Sequence, residues 1–106
     1  MATWDDIVLI ASALPAVEQD DDRLLVDGTP FAELVDPNHV ILSCPQDEKI
    51  AHLESEAEIF STDERIGDLN AVIVNLEVVD VTTLEEAVVE AWMYEAPDIV
   101  RESYEE

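Results

Sequence analysis

Apolar side chains near the start of the chain recur at helical spacing. Ile7, Ile10, Ala11 and Leu14 fall at i, i+3, i+4 and i+7, which predicts an amphipathic helix over Thr3–Leu14. Thr3 and Asp6 have the spacing of a capping box, with Asp in place of Glu. Pro15 stops this helix, because the residue before a proline avoids the α region. Glu18–Asp22 reads as a polar, acidic connector. Three short apolar segments follow, Arg23–Asp27, Phe31–Val35 and His39–Cys44, separated by Gly28-Thr29-Pro30 and Asp36-Pro37-Asn38. Short strands with such breaks describe an antiparallel meander, with both prolines at strand edges.

Pro45 suits the first position of a second helix, Gln46–Ser55. Ile50 and Leu53 are expected to face inward, and Ala57 and Phe60 to continue that side. Ser61–Asn70 is polar and holds Gly67, so it is expected to be a loop, preceded by a short strand near Glu58–Thr62. Ala71–Val79 carries the strongest strand pattern. Val72, Val74, Leu76 and Val78 share one face, expected to be core, while Ile73 and Val79 lie on a partly solvated face. The last helix is expected from Thr82-Thr83, with Thr83 and Glu86 as a capping box. Its apolar stripe is Leu84, Ala87, Val88, Ala91 and Trp92. Pro97 kinks it or begins a short helix over Asp98–Tyr104. The predicted fold class is α+β: a two-layer sandwich in one domain, with helices on one face of an antiparallel sheet.

Composition adds a constraint on partners. Among 106 residues there are 27 Asp plus Glu and 4 Lys plus Arg, a formal net charge of −23. Hydrophobic residues make up 48%, enough for a core rather than a solvated acidic tail. No apolar run approaches the ~20 residues of a membrane span. The N-terminus lacks a signal-peptide pattern, and Cys44 is the single cysteine. A cytoplasmic protein is therefore expected, as a monomer or weak homodimer. Affinity for nucleic acid depends on Lys and Arg neutralising phosphates. Arg23, Lys49, Arg65 and Arg101 are each flanked by an acidic residue. Such a surface suits solubility, including in a salt-rich cytoplasm. A sharper reading is a polyanion mimic that captures a basic protein.

Several segments resemble the MmcQ/YjbR family. They are Thr3-Trp4-Asp5-Asp6 with Ala13–Glu18, then Val26–Ala32, then Asn70–Leu76, and Glu90-Ala91-Trp92 through Ala96-Pro97. The resemblance spans almost the whole chain and is weakest over Asp63–Leu69. It implies the order α-β(3)-α-β(2)-α, similar to secretion-chaperone folds, and it carries a DNA-binding label. Where phosphate contacts are expected in that family, this sequence departs from it. Only Gly67 remains of a His-Tyr-Asp-Gly-like loop, here Glu64-Arg65-Ile66-Gly67-Asp68. Asn75 and Met93 stand where basic residues are frequent. The fold expectation is kept and the DNA-binding one is set second, behind binding of a protein or small molecule.

Candidate chemistry is sparse. Cys44 at a helix start can become reactive, but Asp47 and Glu48 oppose the thiolate. His39 is an odd number of residues away on the same expected strand, so it faces the other way. A buried structural cysteine is the expectation. His39, Cys44 and His52 match no recognised zinc spacing, and Asp20-Asp21-Asp22 lacks the pattern of a calcium loop. No catalytic residue, metal or cofactor is expected. Trp4 and Trp92 are expected to anchor the first and last helices, and any ligand pocket to lie near Phe31, Trp92 and Tyr94. Because 27 carboxylates repel one another and ions screen them, added NaCl should raise the melting temperature. A melting temperature that is flat or falls with NaCl contradicts this.

Overall fold

The computed structural model describes residues 2–105. Its elements are α1 (Trp4–Ala11), β1 (Val17–Asp20), β2 (Arg23–Val26), β3 (Thr29–Asp36), β4 (His39–Ser43), α2 (Gln46–Ser55), β5 (Phe60–Ser61), β6 (Ala71–Asn75), α3 (Val81–Glu95) and α4 (Asp98–Glu105). The six strands form one antiparallel sheet in the order β1-β2-β3-β4-β6-β5. The α+β sandwich is as expected. One more strand precedes the expected three, and Pro97 separates a further helix from α3.

Register explains the core. Leu24, Ala32, Leu42 and Val72 pair across four strands, and Leu34, Val40, Val74 and Phe60 form the next row. All but the half-buried Leu34 are buried. Helix α3 packs against β3, β4 and α1 and adds Leu84, Val88, Ala91 and Trp92 to the core. The Trp92 indole N–H donates to the Pro15 carbonyl at 3.0 Å, joining α3 to the turn between α1 and β1. Trp92 is fully buried, whereas Trp4 is only partly so.

Several boundaries differ from expectation for local reasons. The acidic connector is strand β1, whose side chains after Val17 are exposed. Its backbone pairs with β2 through a turn at Asp21-Asp22, where Asp21 has φ 54, a conformation that Asp tolerates. The next break lies one residue earlier than expected. Asp27 and Gly28 both have positive φ, as a two-residue primed hairpin turn requires. Pro30 consequently lies inside β3, opposite Leu25 and next to a register shift. A bulge tolerates a residue without an N–H there.

Helix α1 ends at Ala11, with Thr3 as its cap and the capping box with Asp6 formed. Helix α3 begins at Val81, earlier than expected. Asp80, rather than Thr83, caps it by accepting from the Thr83 N–H at 3.3 Å. Strand β6 stops at Asn75 rather than Val79. The Asn75 side-chain oxygen accepts from the Glu77 N–H at 2.9 Å, a local turn that competes with the ladder. Val78 is therefore 50% exposed while Val79 is buried, the reverse of the strand prediction. Ile73, on the face expected to be partly solvated, is buried too.

Helix α2 has the expected bounds, with Pro45 at its N-cap rather than its first turn. Its inward residue is a surprise. Ile50 is 48% exposed, and Lys49 is 2% exposed. Phe60, expected on the helical side, lies instead in β5. The Lys49 ammonium donates to the carbonyls of Ile66 (2.7 Å), Gly67 (3.2 Å) and Leu69 (2.8 Å). An ammonium has three N–H donors, and all three are used. Ile66 is buried beside them, and the Asn70 carbonyl accepts from the Cys44 N–H at 2.9 Å. The polar loop is thus fastened just before it enters the sheet as β6. Lys49→Met keeps the apolar stem and removes three hydrogen bonds, leaving the Ile66 carbonyl only its bond from the Leu69 N–H, so it should destabilise the fold by about 3 kcal/mol. Urea unfolding measures this, and a loss under about 1 kcal/mol contradicts the role given to Lys49.

Candidate functional site

The basic residues are accounted for within the molecule. Arg23 pairs with Asp20 at 2.9 Å and Arg65 with Asp63 at 2.9 Å, while Arg101 pairs with Asp98. Hydrogen bonds from Arg65 hold the Asp63 carboxyl below its ordinary range. Lys49 is internal. Of the histidines, His39 lies 2.9 Å from Asp36, a bond that lowers the Asp36 carboxyl, and it is remote in role from His52. The three residues considered together as metal ligands, His39, Cys44 and His52, are not brought to one point among the described residues.

Cys44 is buried as expected. Burial pushes its thiol up to about 11, and the negative Glu90 adds to this. The thiolate that nucleophilic chemistry needs is therefore disfavoured at neutral pH.

Phe31, Trp92 and Tyr94 do not line one cavity. Phe31 and Trp92 belong to the core. A small hollow beside Phe31, about 90 Å³, is lined otherwise by Pro30, Ala32, Glu33, Ile41 and Ser43. Tyr94 is 38% exposed, and its hydroxyl accepts from the Asn70 side-chain amide at 2.7 Å.

Two features stand out instead. The first is a groove of about 480 Å³ between α3 and α4, lined by Glu85, Glu86, Val89, Glu90, Met93 and Tyr104. Its volume falls in the range of ligand sites. Helical spacing builds it: residues 85, 86, 89, 90 and 93 follow the i, i+4 geometry of one α3 face. Tyr104 closes the other side and meets the buried Trp92 edge-on, with ring centroids 5.2 Å apart. Leu9 and Ile10 of α1, with Ala13 and Leu14 of the turn that follows it, extend this surface past Glu85, Val89 and Tyr104. The groove thus mixes apolar and aromatic side chains with three carboxylates, of which Glu85 and Glu86 are exposed and Glu90 is half-buried. A second hollow of about 430 Å³ lies along Glu54–Ile59. It is a notch in one continuous stretch of chain and brings no distant residues together.

The second feature is a cluster of Glu48 and His52 on α2 with Glu90 on α3, whose side-chain donor atoms all lie within 4.8 Å of one another. His52 Nε2 is 3.5 Å from a Glu90 carboxylate oxygen. The imidazole stacks on Phe60, with centroids 4.2 Å apart and planes 20° apart. Burial raises the Glu90 carboxyl above its ordinary range, and His52 opposes that rise while Glu48 and Asp47 reinforce it. Sequence reasoning missed the cluster. The i, i+4 spacing of Glu48 and His52 was visible, but Glu90 was one of 27 acids, and only the packing of α3 selects it.

No protein-family model, curated protein or solved structure matches the chain. No helix among the described residues is long and apolar enough to cross a membrane.

Proposed function

We propose that this chain is a non-enzymatic, cytoplasmic binding protein with a YjbR-like fold, and that the groove between α3 and α4 receives a basic amphipathic segment of a partner protein. The observation that carries this reading is the groove's composition. Val89, Met93 and Tyr104 offer apolar and aromatic surface, and Glu85, Glu86 and Glu90 surround it with negative charge. Methionine adapts its shape to different apolar partners. A helix or extended segment with one apolar face and flanking Lys or Arg complements both parts. This joins the binding-protein reading to the acidic-capture reading, since the same carboxylates that repel phosphates attract a basic peptide.

DNA binding, which the family resemblance implies, is the lesser reading. Binding of duplex DNA needs cations free to replace counterions on phosphates. Three of the four cations here are paired with nearby carboxylates and the fourth is internal. The raised thiol of Cys44 likewise favours binding over covalent catalysis.

The test is a fluorescence-anisotropy titration with labelled amphipathic peptides of equal hydropathy, one Lys-rich and one Glu-rich, and with a labelled DNA duplex. The Lys-rich peptide should bind, weaken as NaCl is added, and lose about tenfold in affinity with Met93→Asp. The Glu-rich peptide and the duplex should not bind. No binding of the Lys-rich peptide at low salt, equal binding to Met93→Asp, or tight binding of the duplex would each overturn the reading.

A further inference from the structure

Glu48 and His52 lie outside the groove, and together with Glu90 of its lining they form a cluster whose chemistry goes beyond peptide binding. Its donors are one imidazole nitrogen and two carboxylates, supplied by two different helices. Imidazole favours zinc and neighbouring transition ions, and carboxylates complete many such sites. Hard cations such as calcium prefer six to eight oxygens, which this trio does not provide.

The geometry is close to what a small ion needs. Ligands about 2.0–2.2 Å from a tetrahedral zinc ion lie roughly 3.3–3.6 Å from one another. His52 Nε2 and Glu90 Oε1 are already 3.5 Å apart. Glu48 is exposed, so its side chain is free to swing inward by the remaining distance. The stack of the His52 ring on Phe60 fixes the plane in which its nitrogens lie. Lys49, the neighbour of Glu48, does not compete for the site. Its ammonium is committed to three carbonyls of the 66–69 segment.

We propose that Glu48, His52 and Glu90 form a site for one divalent transition-metal ion of the zinc class. The ion ties α2 to α3 and leaves a fourth coordination position to water. The site shares Glu90 with the groove lining, but Glu48 and His52 lie on α2 outside that lining, so their variants test zinc binding without altering the groove.

The experiment is calorimetric titration of the chelator-treated, dialysed protein with zinc chloride in 0.15 M NaCl, run beside calcium chloride. Zinc should bind at one equivalent and raise the melting temperature, and excess calcium should not displace it. Glu48→Gln and His52→Gln should each weaken zinc binding by about tenfold or more, while Glu54→Gln, on the same helix, should leave it unchanged. Glu48 is exposed, so its variant keeps the fold, and circular dichroism verifies this for each protein. Zinc uptake at several weak sites, displacement by calcium, or wild-type binding by Glu48→Gln and His52→Gln would overturn the proposal and leave the trio an ion pair in an acidic field.

Discussion

The bond set around Lys49 fixes more of this molecule than any other polar interaction. A buried charge is costly unless it is fully hydrogen-bonded. Here the cost is offset by three carbonyls from one loop. Those carbonyls belong to the segment that delivers β6 between β4 and β5. Without the lysine, the Gly67 and Leu69 carbonyls would lose this donor and the Ile66 carbonyl would keep only the Leu69 N–H. With it, a polar, glycine-containing loop has one conformation, and β6 enters the sheet in the register that places Val72 and Val74 in the core.

The charge balance follows from the same economy. A chain with net charge −23 has four cations to place. It uses one as an internal fastener and three in pairs close in sequence. The exposed pairs add little stability, because solvent screens them. They do, however, neutralise the positive charge that a polyanion would need. Four of the remaining carboxylates, Glu48, Glu85, Glu86 and Glu90, lie along the groove between α3 and α4 and in the Glu–His–Glu cluster that joins α3 to α2.

Most of the fold was legible because its core obeys simple periods. The stripe from Leu84 to Trp92 and the alternation through Val72 and Val74 specify one helix and one strand whatever surrounds them. Strand β1 was not legible, since its three outer side chains are exposed and acidic or polar. Its membership comes from backbone pairing with β2, which side-chain pattern does not report. Ile50 and Lys49 exchanged expected places for a tertiary reason. Hydropathy favours burying isoleucine, but the loop carbonyls require a donor at the adjacent position. The candidate site was legible only in part. Glu48 and His52 share a helix face by spacing, whereas Glu90 and the groove depend on how α3 packs against α2 and α4. Trp92 is a core residue, as expected of a helix anchor, and Phe31, expected only beside a possible pocket, is one too because the sheet and α3 close over it.

Lys49 is the single lysine in the chain, so its ammonium group can be observed without ambiguity. In protein labelled with nitrogen-15 only at lysine, NMR should show one side-chain ammonium signal at neutral pH whose protons exchange slowly with water, as three hydrogen bonds from a buried side chain demand. An ammonium that exchanges as fast as a solvent-exposed lysine would contradict the account at its centre.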